Sequence, residues 1–223
     1  MEKATLAFLR HAKVPSHKGD MPLTADANAD IEAAVPGLQA LAEEGDDFLF
    51  FGTRTNRSRQ TAEALRAAIA PGSPEVLPAW GLRNPDLYLA GARVEMGSTP
   101  EFLASQSEHL PLPPGAVSEH PFFGAFLTAP DRIEYWVHHE TPPGENAAAV
   151  AKRVLQFAAS FLDVPSERNL VVACVTHSPV MRAILTTGRG LEDPGEPGWV
   201  EAIILEVTRD GMRFRFRDQM GRI

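Results

Sequence analysis

Two rhythms of hydrophobic residues alternate along the chain. Short apolar runs at Thr5-Leu6-Ala7-Phe8-Leu9 and Asp47-Phe48-Leu49-Phe50-Phe51 predict buried strands, and a third is expected around Glu75-Val76-Leu77. The run Leu170 to Val175 is apolar throughout, as a parallel strand covered on both faces requires. Between these runs lie alanine-rich stretches of helix formers at residues 28–44, 58–70, 146–162 and 179–187. Ser58 is placed to cap the second, Pro71-Gly72 stops it, and Pro179 falls at an early helical position where proline is tolerated. Residues 202–207 and 212–216, separated by Arg209-Asp210-Gly211, predict an antiparallel hairpin. Strands alternating with helices predict an α/β fold: a three-layer α/β/α sandwich around a mostly parallel sheet. From about residue 85 to 143 the periodicity breaks into prolines and aromatics, with one or two short helices, one of them over 100–108. That stretch is too long for a plain loop and predicts a lid-like insertion in a single domain spanning 1–223.

Composition narrows the function. No run approaches the roughly 18 apolar residues a membrane span needs, and the N-terminal stretch carries no secretory signal pattern, so a cytoplasmic location is expected. The formal net charge of −8 argues against nucleic-acid or anionic-membrane partners, which depend on a basic field. The single cysteine, Cys174, lies inside an apolar strand run and reads as a buried structural thiol. One cysteine excludes a disulfide framework within the chain. An anion site must therefore be built locally.

In sheets of this class, ligands gather at the carboxyl ends of the strands. Arg10-His11 follows the first strand, Thr53-Arg54-Thr55-Asn56-Arg57 the second, and Thr176-His177-Ser178 the strand beginning at Leu170. All three sets are expected on one edge.

Those residues carry a resemblance. Leu9-Arg10-His11-Ala12 resembles the signature of the histidine phosphatase superfamily, the phosphoglycerate mutase-like enzymes of branch 1. Pro22-Leu23-Thr24, Arg57 to Leu65, Pro143-Gly144-Glu145-Asn146 with Arg153, and Val175-Thr176-His177-Ser178 are similar to further elements of that family, in the same order. The resemblance implies a phosphoglycerate mutase-like fold, His11 as the nucleophile that forms a phosphohistidine, and Arg10, Arg57 and His177 as ligands of the phosphoryl oxygens. It implies no cofactor and no metal, and a small phosphorylated substrate. The chemistry fits: neighbouring guanidinium groups disfavour protonation of His11, and their planar forks suit a tetrahedral phosphate.

The general acid is the departure. The family's mutase branch places a glutamate after the second motif, where this chain reads Leu82-Arg83-Asn84-Pro85-Asp86-Leu87-Tyr88. Asp86 is the leading substitute, ahead of Glu95 and Glu145. The loop Ala12-Lys13-Val14-Pro15-Ser16-His17 lacks the small polar residues of the mutases and favours a phosphatase of small phosphomonoesters; removal of phosphate from a protein histidine is the other phosphatase activity that the resemblance allows. A phosphate-recognising binding protein with little turnover, motivated by the missing glutamate, and a mutase are the alternatives. Arg54 and Arg59 are secondary substrate candidates, and Arg182 is expected to pair with a carboxylate or to cap the outer wall of the site. Lys13, His17 and Lys18 either greet an anion or form a polar loop. Trp80, Tyr135 and Trp136 either line a cleft or pack the insertion, and His109, His120, His138 and His139 have no metal-site spacing. The C-terminal hairpin offers a sheet edge that either pairs two copies in a homodimer or closes the core.

Overall fold

The computed structural model describes residues 2–16, 19–107, 109–163, 168–187 and 192–223. Strand β1 (Lys3–Arg10) is buried along nearly all its length because its alternate side chains serve two cores. Leu6 and Phe8 enter one; Ala7 and Leu9 enter the other. The chain continues through α1 (Ala27–Gln39), β2 (Asp47–Gly52) and α2 (Asn56–Ile69) to the two-residue β3 (Leu77–Pro78). A hairpin of β4 (Leu87–Leu89) and β5 (Ala92–Val94) opens the expected insertion. Four short helices complete it: α3 (Pro100–Ser105), α4 (Pro114–Glu119), α5 (Pro121–Thr128) and α6 (Arg132–His138). Then come α7 (Ala147–Ala159), β6 (Leu170–Thr176), α8 (Ser178–Thr187) and the meander β7 (Ala202–Thr208), β8 (Gly211–Phe216) and β9 (Gln219–Arg222).

Among the described residues the main sheet has the order β3-β2-β6-β1-β7-β8-β9. Its first four strands are mutually parallel, and β7 to β9 extend it in antiparallel fashion from β1. Ile31, Leu38, Ala62 and Leu65 of α1 and α2 cover one face. Val150, Val154, Val180 and Ile184 of α7 and α8 cover the other, together with Val117, Phe123, Phe126 and Trp136 from the insertion. Helices on both faces of the sheet make the expected three-layer α/β/α sandwich. The insertion shares the core beneath β1 instead of standing apart from it.

Four departures from expectation have local causes. Helix α1 stops at Gln39, short of residue 44, because the polar run Glu43-Glu44-Gly45-Asp46 has no apolar face to bury, and Gly45 turns the chain at φ +91°. Helix α2 starts at Asn56, so Ser58 is inside it and fully buried, not its cap. The insertion holds more helix than expected because Pro100, Pro114 and Pro121 each stand in a helix's first turn, where the missing N–H costs nothing. Strand β9 is a short, mostly exposed edge without apolar alternation. Residue 108, the expected end of the helix over 100–108, lies outside the described residues.

Candidate active site

Strands β1 and β6 run in register, with Arg10 opposite Thr176. His11 and His177 therefore leave the sheet side by side, their rings 5.4 Å apart and edge to face. The backbone N–H of His11 donates to the Thr176 carbonyl at 3.0 Å. His11 is 2% exposed and lines a cleft of about 650 Å³ together with Arg10, Arg57 and His177. The structure thus brings together all four residues on which the phosphate-handling expectation rested.

The tautomer of His11 follows from its partner. Its Nδ1 lies 2.8 Å from the Ala12 carbonyl oxygen, and a carbonyl only accepts. Nδ1 therefore carries the hydrogen, which leaves the lone pair of the neutral ring on Nε2. Ala12 is fixed in turn: its N–H donates to Thr61 Oγ1 at 2.9 Å, and that hydroxyl donates to the Arg57 carbonyl at 2.7 Å. The loop bearing His11 is thereby tied to the first turns of α2, which carry Arg57. Ser58 makes the neighbouring tie, accepting from the Thr53 N–H and donating to the Val175 carbonyl, both at 2.8 Å. Thr53 Oγ1 then lies 3.1 Å from His177 Nε2.

Both arginines are 7% exposed. Arg10 donates to the Pro197 carbonyl at 2.6 Å and pairs with Glu196 at 2.7 Å, and its guanidinium carbon lies 3.7 Å over the Trp199 ring. Arg57 donates to the Gly19 carbonyl at 3.4 Å and faces Asp20 at 3.8 Å. Burial draws both guanidinium groups below the usual arginine range; Glu196 opposes this at Arg10, and Glu95 and Asp20 oppose it at Arg57. Both stay cationic near neutrality. Each also has a buried Nε without a hydrogen-bond partner among the described residues, a donor that an anion in the cleft can satisfy.

The expectation for Asp86 is corrected. Asp86 does not line the cleft; Arg83 and Arg93 bind it. Burial pushes its carboxyl up, but hydrogen bonds and charge from the two arginines outweigh that and hold it at about 2. A carboxylate ionised so firmly has no proton to give near neutrality. Glu145 also lies outside the cleft lining: Arg153 binds it at 2.9 Å, and it accepts from the Asp86 N–H at 2.9 Å. Glu95 alone of the three carboxylates lines the cleft; Arg93 pairs with it at 2.9 Å, and its charge acts on Arg57.

The secondary candidates separate. Arg54 lines the cleft, whereas Arg59 pairs with Glu63 at 2.7 Å on the exposed side of α2. Arg182 is buried against Asp131 and Asp193. Lys13 pairs with Asp26 at 2.6 Å; His17 and Lys18 lie outside the described residues. Trp136 is fully buried and donates to the Glu145 carbonyl, Tyr135 packs beside Phe122 and His139, and Trp80 is exposed. His120 caps α5 through Nδ1, and no group of three or more His, Cys, Asp or Glu among the described residues is arranged to hold a metal ion. Cys174 is fully buried, which pushes its thiol pKa up. Among the described residues no helix is long and apolar enough to cross a membrane.

Sequence reasoning missed Trp199 and Glu196. The readable signal was the Pro197-Gly198 pair before β7: that turn folds the segment back on the end of β1, where Val200 N–H donates to the Arg10 carbonyl at 3.2 Å.

Fold and site together define a phosphoglycerate mutase-like α/β sandwich with a histidine and arginine cluster at the carboxyl ends of its central strands. More narrowly, the chain carries the likeness of the histidine phosphatase superfamily (branch 1), whose family model matches residues 124–218. That segment includes His177 but not His11 or Arg57, which the fold brings to the same cleft. Solved structures agree in fold. Mycobacterial glucosyl-3-phosphoglycerate phosphatase Rv2419c is 18% identical with a TM-score of 0.59, covering 96% of this chain and 97% of its own. YhfR of Bacillus stearothermophilus is 16% identical with a TM-score of 0.59, covering 98% of each chain. The alpha-ribazole phosphatase of Shigella flexneri is 16% identical with a TM-score of 0.56, covering 96% of each. No curated protein matches the sequence.

Proposed function

We propose that the protein is a phosphatase that hydrolyses phosphomonoesters through a phosphohistidine on His11, with Glu95 in the acid role first considered for Asp86. The observation that carries this reading is the buried His11 ring, whose Nδ1–H is tied to the Ala12 carbonyl so that the lone pair is on Nε2, in a cleft that two buried arginines also line. The Nε2 lone pair attacks phosphorus as the ester P–O bond breaks, and its electrons leave on the substrate oxygen, which takes a proton from the Glu95 carboxyl. Arg10, Arg57 and His177 hold the equatorial oxygens and offset the charge they gather. Water then attacks the phosphoryl group, giving its proton to Glu95, and the N–P electrons return to Nε2. The Ala12 carbonyl keeps the Nδ1 hydrogen in place through both steps. Two structural relatives are themselves named as phosphatases.

The binding-protein alternative was motivated by the missing glutamate; the place of Glu95 on the cleft wall supports turnover instead. General acid catalysis contributes about 10²- to 10⁴-fold. Glu95→Gln is therefore expected to cut kcat/KM for an alkyl phosphate within that range, and to cut kcat/KM for 4-nitrophenyl phosphate less, because nitrophenolate leaves without a proton. An equal loss of kcat/KM on both substrates would remove Glu95 from the acid role.

A further inference from the structure

The cleft has a second lobe that phosphoryl transfer does not use. It has a volume of about 330 Å³ and shares Arg54, Thr55, Asn84, Glu95 and His177 with the His11 cleft. Beyond them it is walled by Pro78, Ala79 and Trp80. The shared residues place Glu95 and His177 where the two lobes join, on the path a leaving group would take away from His11.

The cations of this lobe are not equivalent. Arg83 pairs with Asp86 at 2.5 Å, and Arg93 pairs with Glu95 at 2.9 Å and with Asp86. Their charge is already answered. Arg54, among the described residues, meets no carboxylate; its guanidinium carbon stands 4.1 Å from the centre of the Trp80 ring. Trp80 is 59% exposed, a large aromatic surface left open on the wall of the second lobe. Stacking of this kind holds a guanidinium flat while leaving its N–H fork available to an anion.

Resting on the phosphatase reading above, we propose that the second lobe holds the leaving group of the substrate and that Arg54, positioned by Trp80, binds a second anionic group carried on it. The natural substrate is then a phosphomonoester with a ring or other flat body and a further carboxylate or phosphate. A charge-assisted hydrogen bond of this kind is worth about tenfold or more in binding.

The test uses three probes with the full-length protein: phenyl phosphate, 4-carboxyphenyl phosphate and benzene-1,4-diyl bisphosphate. In the wild type, kcat/KM should favour one of the two doubly anionic probes over phenyl phosphate by about tenfold, and the preferred probe distinguishes carboxylate from phosphate. Arg54→Gln and Trp80→Ala should each collapse that ratio toward one. Arg59→Gln, which removes an arginine outside the cleft, should preserve it. A wild-type ratio near one, or a ratio unchanged in Arg54→Gln, overturns the proposal. If none of the probes is turned over, the phosphatase reading fails by itself, and the same ratio is read from calorimetric binding of the three compounds. There, equal weakening of all three by Arg54→Gln contradicts the proposal, and selective weakening of a doubly anionic compound upholds it.

Discussion

The fate of Asp86 shows how far a residue's role depends on neighbours that are distant in sequence. Near Leu82-Arg83-Asn84-Pro85 it stands where a proton donor was expected, and its chemistry suits. The β4–β5 hairpin brings Arg93 against it while Arg83 grips it from its own side, turning it into a structural anion. Its folded pKa of about 2 is depressed below the ordinary aspartate value. Its stabilisation is accordingly present above about pH 4 and is lost as pH falls through about 2. Arg93 is partly exposed, so solvent screening reduces the contribution to about 1–2 kcal/mol. Asp86→Asn should lower unfolding free energy by that amount at neutral pH, the gap from wild type should close between about pH 4 and 2, and most of the turnover should remain. Urea titrations across pH check the first two points; a large loss of kcat would restore Asp86 to the chemistry. Arg10, His11, Arg57 and His177 were legible because each follows a strand whose apolar run fixes its direction. Glu95 ranked behind Asp86 and Trp199 went unread, because pairings across the fold place them, through Gln106 for the Glu95 backbone and through β1 for the segment before β7.

At the scale of elements, the strands and long helices were readable because both faces of the sheet are buried and the apolar runs are continuous. The insertion was not, since a proline-dense segment reads as disruption until its prolines fall in the first turns of helices. The Gly144-Glu145 element links this region to the rest. Gly144 has φ +143° and bridges to Leu87, and a Cβ added there would lie 2.1 Å from the Asp86 carbonyl oxygen. Glycine is required on both counts. The adjoining Glu145 receives Arg153, which also donates to the Gly81 carbonyl at 2.6 Å and the Arg83 carbonyl at 2.9 Å. That clamp fixes the segment leading to Glu95. Gly144→Ala is expected to cost about 2–3 kcal/mol, seen as a lowered denaturation midpoint; an unchanged midpoint would mean the bridge is not maintained in solution.

At the scale of the whole molecule, an acidic chain buries two arginines beside one cleft. Arg10 and Arg57 are buried at the ends of the central strands in a protein of net charge −8, an arrangement whose cost is offset when an anion is bound. The supports of this cluster reach across the fold. Arg182 on α8 joins Asp131, the cap of α6, to Asp193, and Glu196 in the same loop pairs with Arg10. The insertion and Arg10 thus share one ionic network. The most direct measurement is to quench the protein in base during turnover of a radiolabelled aryl phosphate and map the label. The account predicts an acid-labile phosphoryl group on His11, absent from His11→Ala together with turnover; label at another residue, or turnover that survives His11→Ala, would contradict it.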